Sequence, residues 1–403
     1  MSWAQNLDPA RGVAPASRVV PRELLRRPRT AGSIAFPLLV SLGALLGGLL
    51  MTGVLLLTGA PGAVALGVTL AAIPVGPLVG CYVWLDRYEP EPRWLLALAF
   101  VWGACIATAV ALVLQAIDQY FVGTSVDWSA AFVAPLTEEF AKGLFLVLLL
   151  WFRRHELDGV LDGLVYAGLV GIGFAFVENV LYLVSAYAGG DHLGAGGLGS
   201  ATSVFVMRGI MSPFAHPLFT SCIGIGVGIA AATRRAWLRP VAVLVGYACA
   251  VTLHAAWNAS AFFHDGTLFL LTYVIAMVPA FALMVAIATG ARRREQQMLT
   301  RSLTDAASRG LVEHAEVPWL VRLPARRAAR SYARSTGGPT AEEAMKVYQA
   351  DAIDLAFVHD RYLRGLADGA TATRGNELVR RLGMLRPYVL FPPTKAGHLW
   401  SSP

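Results

Sequence analysis

Charge is scarce in this 403-residue chain: 15% of its residues are Asp, Glu, Lys or Arg, where a soluble domain carries about a quarter. The scarcity is also uneven. Residues 34–290 hold nine Lys/Arg, whereas residues 1–33 hold six and residues 291–403 hold eighteen. Segment net charges are +4, −4 and +7. Basic ends therefore flank an apolar body, which points to an anionic lipid surface as partner and away from nucleic acid.

Cysteine is nearly absent too. Cys81, Cys105, Cys222 and Cys249 sit in apolar runs without CxxC spacing, which excludes a zinc knuckle or a disulfide framework and reads as small core residues. The first 33 residues contain no apolar stretch, so no cleavable signal peptide is expected. No internal repeat is evident.

What is abundant is apolar residues, at 56% of the chain. About twenty are needed to cross the hydrocarbon as a helix, and eight stretches qualify: roughly 34–58, 63–85, 94–115, 130–152, 159–187, 203–232, 238–262 and 267–290. The first two flank Gly59-Ala60-Pro61-Gly62, a tight turn. Arg87 and Arg93, then Arg153 and Arg154, then Arg234, Arg235 and Arg239 fall in the even loops, and Arg292-Arg293-Arg294 follows the last span. The odd loops carry acids such as Asp118, Asp127, Asp191 and Asp265 but no Lys or Arg. The positive-inside rule then places both termini in the cytoplasm. The expected fold is an all-α polytopic bundle of about eight spans. A basic segment precedes it (1–33), a transmembrane domain spans 34–290, and a small helical, partly disordered tail covers 291–403. In the tail, Thr340-x-x-Glu343 is a capping box that opens an amphipathic run to about Leu366, and a second run covers about Asn376–Leu385.

An ionisable residue deep in a span costs roughly 2.5–3.5 kcal/mol on insertion scales and marks a functional site by default. Several occur here. The fourth stretch carries Glu138, Glu139 and Lys142; the fifth Phe174, Glu178 and Asn179; the sixth Arg208 and His216, the latter between Pro213 and Pro217; the seventh His254 and Asn258. At about 1.5 Å rise per residue, Glu138, Glu139, Glu178 and His254 all lie roughly 12–14 Å from the outer ends of their helices. Arg208 reads as an interfacial anchor, with His216 about eight residues below it. Lys142 can pair with either neighbouring glutamate at i,i+3 or i,i+4, which leaves one carboxylate over. Carboxylates and imidazoles at one depth suit activation of water by a general base. Asn258 could donate to an oxyanion, and two histidines with a glutamate form a zinc ligand set.

These residues resemble the PrsW family of intramembrane proteases, relatives of the CAAX-processing and bacteriocin-processing membrane endopeptidases. The shared pattern is Glu138-Glu139-x-x-Lys142, Phe174-x-x-x-Glu178, His216 and His254-x-x-x-Asn258, and Asp86-Arg87-Tyr88-Glu89-Pro90-Glu91-Pro92 is similar to the segment before the family's core. The resemblance covers about residues 80–290. The CAAX-processing branch carries a histidine at the position of Glu178. The resemblance implies a peptidase in a bacterial plasma membrane that cleaves a membrane protein or peptide, for example an anti-sigma factor. Its expected catalytic residues are Glu138, Glu139, Glu178, His216, His254 and Asn258, supported by Lys142 and Phe174. No cofactor is required by this reading; zinc is left open, with Glu178, His216 and His254 as ligand candidates. These residues are expected to converge on one polar cavity open to the outer face.

A different class of function competes, a proton- or cation-coupled transporter, since midplane acids also build proton relays. A scaffold whose basic tail recruits a partner is a third, and it leaves the coplanar polar groups unexplained. Outside the site, the Glu-Pro-Glu-Pro loop reads as a rigid surface turn and Gly224, Gly226 and Gly228 as close-packing positions. His155, His192, His264, His314, His359 and His398 read as solvated.

Overall fold

Helices make the whole architecture, and among the described residues there is no β-strand. The computed structural model describes residues 20–25, 34–57, 60–189, 195–262 and 267–393. The segment 1–33 (apart from 20–25), Gly59, Asp191, His192, His264, Asp265 and His398 lie outside them. The chain divides into two compact units, one of residues 31–295 and one of residues 1–30 with 296–403.

The larger unit is a bundle of α1 (Ala35–Leu57), α2 (Pro61–Leu85), α3 (Arg93–Val122), α4 (Ala134–Phe152), α5 (Val160–Ala188), α6 (Gly197–Ala232), α7 (Leu238–Phe262) and the first part of α8 (Leu268–Ser308). Seven of these are long and apolar enough to cross a membrane. The eighth expected span, α4, has 19 residues and is set apart by Glu138, Glu139 and Lys142. The expected count and the apolar count differ only where the charged motif sits. Outward-facing leucines of α1, among them Leu38, Leu42, Leu45 and Leu49, are exposed, as lipid-facing residues must be. Cys81 and Cys249 are exposed as well, so they are surface residues of their helices and not the core residues the composition suggested.

α5 is apolar on all sides and lies at the centre, buried along most of its length; a helix apolar all round needs neighbours all round. Lipid tails are as apolar as leucine, so helices here associate through close backbone packing. A Cβ at Gly163 would lie 2.1 Å from the Gly224 carbonyl oxygen, and one at Gly173 would lie 2.0 Å from that of Phe100. Gly224 and Gly228 seat α6 against α5, while Gly226 faces Ala242 of α7. Aromatic side chains fill the adjoining core, with Phe145 between Phe36, Trp102 and Tyr166.

The smaller unit packs α9 (Val317–Val321), α10 (Leu323–Leu363) and α11 (Gly369–Leu385) with a single turn at Arg22–Leu25. α10 is bent at Gly338, whose φ of 75° precedes Pro339; only glycine adopts that backbone without strain. The bend falls just before the expected capping box at Thr340. α11 begins at Gly369, earlier than the apolar pattern from Asn376 indicated, because Asp368 caps it through the Thr371 N–H at 2.8 Å.

Candidate active site

α4 presents Glu138, Glu139 and Lys142 to the interior because i, i+3 and i+4 positions share a face. Three long-range donors grip the backbone around this motif. Asn258 Nδ2 donates to Ala130 O at 2.9 Å, Tyr247 OH to Leu136 O at 2.9 Å and Trp102 Nε1 to Ala141 O at 2.9 Å. From the other side, α6 is interrupted. Its first segment ends in a stretch of π-helix, Val206–Met211, and Ser212 closes that end with its hydroxyl donating to Met207 O at 2.7 Å. The helix resumes at Ala215, which sets His216 and Pro217 in its first turn, where proline breaks no intrahelical bond.

The charged groups meet at this break. Lys142 Nζ lies 2.8 Å from Glu139 Oε1, 3.4 Å from Glu138 Oε2 and 3.0 Å from His216 Nδ1, and 3.8 Å over the Phe174 ring. Glu139 is saturated: its Oε1 also faces His254 Nδ1 at 3.0 Å, and its Oε2 accepts from Thr220 at 3.0 Å. Glu138 is held loosely, with Gln115 Nε2 at 3.5 Å and His254 Nε2 at 3.8 Å. Glu178 Oε2 is 2.7 Å from His216 Nε2 and forms an ion pair with Arg208. Arg208 Nε in turn donates to Asn179 Oδ1 at 2.7 Å, and its guanidinium stacks on Tyr182. Glu139 and Lys142 are 0% exposed, His254 1% and Glu138 5%.

Partner chemistry fixes the ring tautomers. A carboxylate only accepts and an ammonium only donates. His216 therefore carries its proton on Nε2, toward Glu178, and offers its Nδ1 lone pair to Lys142. His254 carries its proton on Nδ1, toward Glu139, and its Nε2 lone pair points toward Glu138.

Residues 91–284 match the family model described as PrsW family intramembrane metalloprotease. This segment is similar to the PrsW family. The chain is similar to Protease PrsW of Oceanobacillus iheyensis, 35% identical over 104 residues that make up 26% of this chain and 48% of the relative. It is 28% identical to Protease PrsW of Geobacillus kaustophilus over 39% of this chain and 64% of the relative. With that of Clostridioides difficile it shares 31% identity over 38% and 62%. The chain thus spans about half to just under two thirds of the length of these curated relatives. No solved structure matches it.

Within the matched segment, Glu138, Glu139, Lys142, Phe174, Glu178, His216 and His254 come together as one network. Asn258 does not join it through any contact seen among the described residues; its amide is engaged on Ala130 O. Three carboxylates, two cations and two imidazoles pair with one another there, as charge held in a medium without water must. Arg208 is an ion-pair member with a side chain only 25% exposed, which corrects its reading as an interfacial anchor. Thr220 went unnoticed, although His216-x-x-x-Thr220 repeats the i,i+4 spacing of the other motifs. Tyr247 and Gln115 left no such signal, since each acts across helices on a position no pattern predicts.

The donors fit a metal by type: ligand atoms of Glu138, His216 and His254 lie within 4.8 Å of one another, and one carboxylate with two imidazoles is a zinc set. Glu178, the carboxylate expected in that set, is engaged by Arg208 and His216, and Glu138 takes its place.

The loop before the segment also departs from expectation. Asp86 and Glu91 are buried, not part of a surface turn. Asp86 Oδ2 accepts from the Glu91 N–H at 2.9 Å, and Glu91 Oε2 accepts from Tyr166 OH at 2.6 Å. Burial pushes the Asp86 carboxyl up to about 8, opposed by the Glu91 N–H and reinforced by Asp162. Burial raises Glu91 well above the usual carboxylate range as well.

Proposed function

We propose that this chain is an intramembrane endopeptidase that hydrolyses a peptide bond within or beside a membrane-spanning segment of its substrate. One observation carries the reading: of two adjacent buried glutamates, Glu139 is saturated and Glu138 is not. Glu138 Oε2 and the His254 Nε2 lone pair, 3.8 Å apart, are two acceptors that can share one water lying off the line between them. Such a water donates to both and keeps a lone pair for a carbonyl carbon. Glu138 takes its proton as general base and returns it to the departing amide nitrogen. Glu139 holds His254 in the tautomer this requires, and Glu178 does the same for His216. The ammonium of Lys142, 3.4 Å from Glu138 Oε2, would stabilise negative charge developing on the carbonyl oxygen. Asn258 anchors the chain before α4. A metal, if bound, would be held by Glu138, His216 and His254 and would polarise the carbonyl and the water.

The sharper parts of the reading are a single-pass regulatory protein such as an anti-sigma factor as substrate, residence in a bacterial plasma membrane, and both termini cytoplasmic. The test compares new protein termini in membranes of cells expressing wild type or Glu138→Gln. Termini present only with wild type support the proposal. An unchanged set of termini, with the variant inserted and folded, would refute it.

A further inference from the structure

The lysine of the site occupies the place a metal would need. His216 has one nitrogen lone pair, on Nδ1, because Nε2 donates to Glu178 at 2.7 Å. That lone pair points at Lys142 Nζ, 3.0 Å away. The same ammonium lies 3.4 Å from Glu138 Oε2, so two of the three metal-type donors converge on it. It is not a surface lysine that swings freely: its side chain is 0% exposed, covered by the Phe174 ring at 3.8 Å and tied to Glu139 at 2.8 Å.

We propose that Lys142 is a resident cation that fills the position between Glu138 and His216, so that a divalent metal binds this chain only in competition with its own lysine. A zinc ion bonds imidazole nitrogen at about 2.0–2.1 Å along the lone pair, and the lone pair of Nδ1 cannot serve ion and ammonium at once. Loss of the lysine frees that donor and removes a positive charge from beside the incoming ion. Glu139 and His254 keep their bond in either state, which leaves Nε2 of His254 as the third donor. The inference does not depend on which bond the site cleaves, and it is tested without any cleavage assay.

The experiment uses the full-length chain in lipid nanodiscs, with zinc and cobalt(II) as probes. Wild type is expected to retain well below one zinc per chain after removal of excess metal and to give no tetrahedral cobalt bands. Lys142→Met keeps the length and the packing against Phe174 while removing the charge. It should bind one zinc with affinity raised about tenfold or more and show tetrahedral cobalt bands. Adding Glu138→Gln to Lys142→Met should return both readouts to the wild-type level. Equal zinc affinity in wild type and Lys142→Met, or no gain in a monodisperse variant, overturns the proposal. If Lys142→Met is not recovered folded, Lys142→Gln replaces it, and wild type remains decisive by itself, since strong tetrahedral cobalt bands there would overturn the inference.

Discussion

The candidate site of the larger unit and the core of the smaller unit bury charge in opposite ways. At the candidate site of the larger unit the charges form one interlocked net: Glu138, Glu139 and Glu178 share Lys142 and Arg208, with two histidines between them. In the smaller unit they form separate groups. Asp351 pairs with Arg381 at 2.9 Å, and Glu316 accepts from Tyr348 OH at 2.6 Å and pairs with Arg386. His359, expected to be solvated, sits 2.6 Å from Asp305. Packing differs in parallel. Helices of the larger unit meet backbone to backbone at Gly163, Gly173 and Gly224, whereas the smaller unit buries large side chains such as Leu299, Leu303, Met345, Tyr348, Leu382 and Leu385. Water drives large apolar side chains together, but lipid offers no such force and leaves contact to small residues. A discrete pair stabilises a fold. A net with more carboxylates than cations leaves one of them under-satisfied, and that is the feature a reaction can use.

The comparison can be broken first at Glu138. Glu138→Gln should lower cleavage by about a thousandfold, the scale of a lost general base, while the protein stays folded. Glu139→Gln should lower cleavage and also thermal stability, because it strips partners from Lys142, His254 and Thr220. A melt of the Glu139 variant indistinguishable from that of the Glu138 variant would erase the distinction between the two carboxylates.

A second test addresses the discrete pairs. Asp351→Ala leaves Arg381 buried without its carboxylate, which costs about 3–5 kcal/mol, and it should unfold the smaller unit in limited proteolysis. Cleavage by the larger unit should persist; joint loss of both would mean that the units do not fold separately.

Smaller effects follow from packing. Gly163→Ala sets a methyl against the Gly224 carbonyl, where no flexible side chain can give way, and should cost about 1–3 kcal/mol. Gly375→Ala in the smaller unit meets only the Val358 side chain, at 3.1 Å, and should shift the melting temperature less. Equal shifts would remove the contrast in packing.

The smallest expected effect is a slope. With Asp86 raised to about 8 from an ordinary 3.8, the folded chain holds a proton between those values that the unfolded chain has lost. Stability from this group therefore falls as pH rises from about 4 to about 8. Asp86→Asn should lose that component, so its melting temperature should gain on wild type across this window. Parallel curves would show that Asp86 titrates normally.

By itself the sequence determined the apolar spans, the flanking basic segments and the set of residues that do not belong in lipid, because hydropathy and i,i+4 spacing are local properties. Glu138, Glu139, Lys142, Glu178, His216 and His254 were legible as a group for that reason. Their division of labour was not. Saturation of Glu139 depends on Thr220 and His254 from two other helices, the capture of Glu178 depends on Arg208 beyond a helix break, and Asn258 was drawn to a carbonyl that no motif contains. Burial of Asp86 and Glu91 in a loop of prolines was equally hidden. Tertiary structure decided these points because a side chain's hydrogen-bond partners are set by which helices lie beside it, and helices brought together at glycines can come from any part of the chain.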